Sequence, residues 1–302
     1  MLNPILSFSA TRRMRSFRTM LIVIAYTAAL LLIALPMLNP FLKDSVTLLS
    51  VQNGPRCYIV LLAAQFALLM LIAPAMTSGA IAGERERQTL DLLLVTNTGS
   101  VRIVAGKAME SFALLMLLVV SGFPVMCLCL LSGGITVWQI LLGELFLLAE
   151  GFACVSVGVF CSSFSRSTVL SGVLSYLMIL LIGAVTALPF LFGYPQRITD
   201  VVYDRTQYAL LTPAAAAGMI PALLYLNPGF GILTLIEGQT RYFTDEMQYR
   251  GWGRIKATWL MADRAGWEQS AMICAAGMAV VAIVLLSLAA LMVRRGQKTI
   301  KK

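Results

Sequence analysis

Five charges, Glu84, Arg85, Glu86, Arg87 and Asp91, fall within eight residues of a chain that is 59% hydrophobic and 12% charged. Interleaved acids and bases at this density can build ion pairs or a docking surface. Two more carboxylates, Glu144 and Glu150, lie in an apolar run, where an acid can hold a cation, carry a proton or lock helices together. The chain has no histidine. Triads that use His, imidazole metal sites and imidazole proton relays are therefore excluded. An intramembrane enzyme would be left with Ser/Lys or carboxylate chemistry, and no lysine falls deep in an apolar run. The six cysteines, Cys57, Cys127, Cys129, Cys154, Cys161 and Cys274, sit in or beside apolar runs and read as small hydrophobes. Cys127 and Cys129 are two apart and point to different helix faces, a poor ligand pair. The stretch GSVRIVAGKA, residues 99–108, imitates a phosphate loop, but six residues separate Gly99 from Gly106 and Ala108 stands where a hydroxyl is required. No metal or cofactor is expected in this chain.

These residues must be positioned by membrane helices. The chain has 302 residues and a mean hydropathy of +0.85. A soluble protein is about 25% charged, and a spanning helix needs about 20 mostly apolar residues. The expected fold is an all-α membrane protein, with residues 1–302 as a single transmembrane domain. Spans are expected over 20–38, 57–77, 112–131, 137–160, 169–192 and 271–293. Pro74, Pro124 and Pro189 lie within or near span ends, where neighbours can satisfy freed carbonyls. The short turn Ser132-Gly133-Gly134 makes spans three and four an antiparallel hairpin.

The net charge of +9 reads as topology rather than as a nucleic-acid footprint. Residues 1–19 form an interfacial cytoplasmic helix, with Asn3 as cap, Pro4 at the first position and Arg12, Arg13, Arg15 and Arg18 before the first span. The run that follows is too long for a secretory leader. The tail RRGQKTIKK is also basic. Two basic ends on the cytoplasmic side require an even number of spans, hence six. Residues 209–236 carry Pro213, Pro221 and Pro228 and are read as broken helices within an extracytoplasmic segment, 193–270.

That topology makes residues 79–107 the main cytoplasmic loop. A helix is expected over 81–97. Glu84 and Arg87 stand at i,i+3 and Arg87 and Asp91 at i,i+4, a charge ladder. Leu90, Leu93 and Leu94 form an apolar patch. Asn97 and Gly99 stop the helix, and Ser100 caps the next. Pattern alone leaves two readings open: a solvated connector, or an element that docks into a partner protein.

The stretch GERERQTLDLLLVTNTGSVRIVAGK resembles the cytoplasmic loop of ABC-2-type transporter permeases. The opening NPIL, the turn FCSSFSRS after span four and LNPGFGILTLIEG before the last span are similar to other segments of that family, in the same order. The resemblance implies that 81–97 is the coupling helix. Glu84, Arg85, Glu86 and Arg87 would then face a cytoplasmic ATPase subunit, while Thr89, Leu90, Leu93 and Leu94 pack the helix; Asp91 completes the ladder. It also implies a bacterial plasma-membrane exporter of two permease chains, identical or related. ATP and Mg would be held by the partner ATPase, in a lipid setting and with no nucleic acid.

Glu144 and Glu150 are six residues apart, about 240° around a helix and ~9 Å along it, so they do not form a dyad on one face. Glu144 stands about two turns from the outer end and is expected to reach the interface. Glu150 is deeper. It either lines a translocation path or is a protonated or hydrogen-bonded group locking helices, with Gln65 as a candidate partner. An ion-coupled transporter or channel using Glu150 is the alternative function.

Overall fold

The computed structural model describes residues 16–43, 53–89, 99–131, 133–191, 225–240 and 267–300. They form α1 Phe17–Lys43, α2 Asn53–Thr77, α3 Ala82–Glu86, α4 Ser100–Leu131, α5 Val137–Phe164, α6 Thr168–Leu191, α7 Pro228–Thr240 and α8 Trp267–Ile300. Six segments are long and apolar enough to cross a membrane: Thr19–Pro36, Gly54–Glu86, Ser100–Leu131, Val137–Phe164, Thr168–Thr186 and Ala271–Arg294. Each overlaps one of the six expected spans, the second running on to Glu86 and the third starting at Ser100, before the expected 112. The interfacial helix expected over 1–19 lies almost wholly outside the described residues.

The chain divides into two compact units, Met1–Ile179 with Ala279–Lys302, and Leu180–Met278. In the first, α2, α4 and α5 pack on one another, α1 packs on α2 and α4, and α3 packs on α5. The span of α5 is 72% buried against 11% for that of α6, so α5 is the axis of this unit. Tyr58, Leu61, Leu62, Leu115, Leu118, Met126, Ile140 and Leu147 fill its core. Lipid is as apolar as leucine, so helix contact here depends on close packing of small residues and on interhelical hydrogen bonds. Gly158 shows the first device. A Cβ there would stand 1.7 Å from Thr77 Oγ1, so α2 and α5 approach closely only with glycine at this position. Large apolar side chains such as Leu32, Leu35, Leu177, Leu180 and Ile283 lie on the outside, the arrangement a lipid solvent favours.

The α4–α5 hairpin turns through Gly133 and Gly134, at φ 72° and 78°. These left-handed values suit residues without a Cβ. Thr136 then starts α5 with a capping box: its hydroxyl accepts from Gln139 N, and its own N–H donates to Gln139 Oε1 at 2.8 Å. With 32 residues, α4 is about 48 Å long, well beyond the ~30 Å hydrocarbon core. The charges of α4, Arg102, Lys107 and Glu110, all fall in its first eleven residues, so the excess length belongs at that end. The cap of α4 is Gly99, whose carbonyl accepts from Ile103 N; Ser100, the expected cap, is already helical and buried.

In the second unit, Asn227 caps α7. Its Oδ1 accepts from Gly229 N at 2.8 Å and Phe230 N at 3.2 Å, and its Nδ2 donates to Gly183 O at 3.1 Å. Pro228 takes the first helical position, where a missing N–H costs nothing. Thirteen residues make α7 too short to span. Most of the expected extracytoplasmic segment 193–270, including residues 209–224 of the stretch read as broken helices, lies outside the described residues.

Candidate functional site: the charged loop and the buried carboxylates

A single hydroxyl starts the charged loop. Ile81 N and Ala82 N, unpaired at the start of α3, both donate to Ser162 Oγ of α5 at 2.9 Å. Ser162 Oγ in turn donates to Ser78 O at 3.0 Å. One donor and two lone pairs are thereby all used.

The next three residues are tied to other helices. Lys107 Nζ of α4 lies 2.7 Å from Glu84 Oε1 and 3.7 Å from Glu110 Oε2. Arg85 donates from Nη2 to Ser163 O at 2.8 Å and from Nη1 to Ser165 O, carbonyls at the end of α5. Terminal carbonyls have no intrahelical partner, and a cation there complements the helix dipole. Glu86 Oε1 accepts from Thr168 N at 2.9 Å, which places an acid at the N-terminus of α6. So Arg85 and Glu86, adjacent in sequence, hold the two sides of the α5–α6 turn. Neither contact was legible, because the partners lie about 80 residues away and are mostly backbone atoms.

The expected single helix over 81–97 is interrupted. Helix α3 has five residues and ends at Glu86. Gln88 adopts φ 59°, Gln88 N donates to Arg85 O at 3.1 Å and Thr89 N donates to Glu84 O at 3.0 Å. This is a Schellman closure with glutamine at the position glycine usually takes. The helix that would carry Arg87 onto the same ladder as Asp91 therefore stops between them. Thr89 Oγ1 donates to Glu84 Oε2 at 3.1 Å. Arg87, Gln88 and Thr89 are exposed; Leu90, Asp91, Leu93 and Leu94 lie outside the described residues.

The intramembrane acids are in different settings. Gln65 Nε2 of α2 donates to Glu144 Oε1 and Oε2 at 3.2 and 2.9 Å. Tyr26 of α1 is buried against the same pair. Glu144 is thus buried between helices, and it, not Glu150, takes Gln65. Glu150 is 1% exposed, and neither of its carboxyl oxygens has a hydrogen-bond partner among the described residues. It faces Cys154 one turn on, whose thiol donates to Met70 Sδ at 3.2 Å. Both acids are enclosed by helices of this one chain.

Among the described residues, no three His, Cys, Asp or Glu side chains gather as a metal site. Residues 100–108 are helical, so the imitation phosphate motif does not form a phosphate-cradling loop.

Six segments long and apolar enough to span, with one charged loop tied to α4, α5 and α6, define a polytopic membrane protein. The sequence model of the ABC-2 family transporter protein matches residues 10–294, and the chain belongs to that family. It is a multi-pass permease, the membrane subunit of an ABC transporter, and its family implies association with an ABC ATPase subunit. No curated protein matches the chain.

Proposed function

We propose that this chain is the membrane half of an ATP-driven exporter in a bacterial plasma membrane. Both termini are cytoplasmic, and a separate ATPase that holds ATP and Mg docks on residues 81–97. Two permease chains, identical or related, form the working unit, because six helices are few to enclose a path. One observation carries the docking reading: α3 is tied through Ser162, Arg85, Glu86 and Glu84 to α5, α6 and α4. A thrust on this loop would reach three spans besides its own α2. The contacts of Glu84, Arg85 and Glu86 transmit force within the permease; Arg87 and the residues after it meet the ATPase.

Replacing Arg85 with Ala tests this. The ATPase should still co-purify and hydrolyse ATP, while transport per ATP falls about tenfold, the scale of losing one charge-assisted contact. Wild-type stoichiometry in the variant defeats the reading.

The alternative, an ion-coupled transporter or channel, is favoured by the buried carboxyl of Glu150, which has no hydrogen-bond partner among the described residues. Ion-driven transport by the permease in vesicles without nucleotide, abolished by Glu150→Gln, would establish it.

A further inference from the structure

The charges of the loop do not remain equally available once it is folded. Glu84 is engaged by Lys107 and Thr89, and Glu86 caps α6. Glu110 is buried beside Lys107. Arg85 is spent on carbonyls of α5. Arg87, Arg102, Arg166 and Arg294 are exposed and form no ion pair among the described residues.

These four belong to one end of the first unit. Arg87 follows Glu86, which is bonded to Thr168 N. Arg166 sits in the α5–α6 turn, next to Ser165 on one side and two residues from Thr168 on the other, so both contacts of that turn flank it. Arg102 precedes Lys107 on α4, and Lys107 is bonded to Glu84. Arg294 lies two residues beyond Met292, whose sulfur accepts from Ser163 Oγ at 3.6 Å. Arg87 and Arg166 thus stand at this end as cations with no ion pair among the described residues, while the neighbouring acids Glu84 and Glu86 are already engaged.

We infer that the ATPase surface received by this chain is acidic, and that it is received jointly by the loop, through Arg87, and by the α5–α6 turn, through Arg166. This rests on the docking reading above and specifies the partner's chemistry. The fused backbone supplies the reason for a joint surface: Arg85 and Glu86 hold loop and turn together, so a partner that covers one meets the other. Guanidinium groups suit such a role, since they pair with carboxylates in a fixed fork. Anionic lipid is the rival occupant of the same charges. The partner protein is favoured because Arg87 stands on the closed turn that ends α3, beside the exposed polar residues Gln88 and Thr89, whereas the large side chains exposed along the spans are apolar.

The test uses the full chain, purified with the ATPase that accompanies it from native membranes, identified by its mass and its ATP hydrolysis. The Arg87→Glu, Arg166→Glu double variant should retain that ATPase at least about tenfold more weakly than wild type, because like charges now meet across the contact. The Lys pair at the same positions should retain it, which separates charge from folding. Raising salt should weaken wild type and leave the Glu variant little changed. Equal retention by the Glu variant overturns the inference, as does loss confined to binding of anionic vesicles. A wild-type chain that retains no ATPase under any salt condition overturns the docking reading itself.

Discussion

The side-chain amide of Gln65 on α2 donates to both carboxyl oxygens of Glu144 on α5, and both side chains are buried in the bundle. Measured interhelical hydrogen bonds between side chains average only about 0.6 kcal/mol and reach about 1.7. The pair therefore fixes the register of α2 against α5 more than it stabilises the fold. Glu144→Leu should cost about 1–3 kcal/mol, because it leaves the Gln65 amide unpaired. Gln65→Leu combined with Glu144→Leu should recover most of that. Thermal unfolding of the four proteins in one detergent gives the cycle; simple additivity would show that the pair is not coupled.

Glu150 should behave in the opposite way. Neither of its oxygens has a hydrogen-bond partner among the described residues, so replacement breaks no bond among them. Glu150→Met, similar in volume and apolar, should match or exceed wild-type stability, gaining up to about 1–3 kcal/mol. Transport assayed on the same preparation gives the second reading: a more stable variant that no longer transports marks the carboxyl as part of the path. A clear drop in melting temperature would mean that the acid has a structural partner.

Gln88 stores local strain. A side chain at φ 59° costs roughly 1–2 kcal/mol relative to glycine. Gln88→Gly should keep the closure of α3 and stabilise the loop by about 1 kcal/mol. Gln88→Val should open it, since a branched side chain tolerates that region worst. Proteolysis between residues 79 and 107 should slow in the first variant and quicken in the second. Identical cleavage rates in all three would remove the turn from the account.

The expected spans were legible because lipid imposes a blunt rule, and runs such as 112–131 satisfy it by composition alone. The Gly133-Gly134 turn was legible for a similar reason, since the two glycines meet a backbone requirement. Other features had no local signature. Gln88 is not a stop signal in any propensity scale, so the interruption after Glu86 could not be seen, and a ladder was read across it. Arg85 and Glu86 looked like surface charges because their partners are backbone groups at Ser163, Ser165 and Thr168, on helices distant in sequence. The Thr136–Gln139 capping box does have a local signature, T-x-x-Q before an apolar run. Gln65 was seen as a partner for a carboxylate, but periodicity along one helix cannot say which acid on another lies at its level.

The six-span topology with cytoplasmic ends makes a direct prediction about accessibility. In a background without the six native cysteines, single cysteines replace Leu2, Asp245 and Ile300. An impermeant thiol reagent applied to intact cells should label position 245 and spare positions 2 and 300 until the membrane is opened. The first and last spans, Thr19–Pro36 and Ala271–Arg294, carry the argument, because basic residues flank each on the side assigned to the cytoplasm. Helix α7, with 13 residues, is too short to add a seventh crossing. Labelling of position 300 in intact cells, with position 2 protected, would require an odd number of crossings and would place a further span between Thr186 and Ala271.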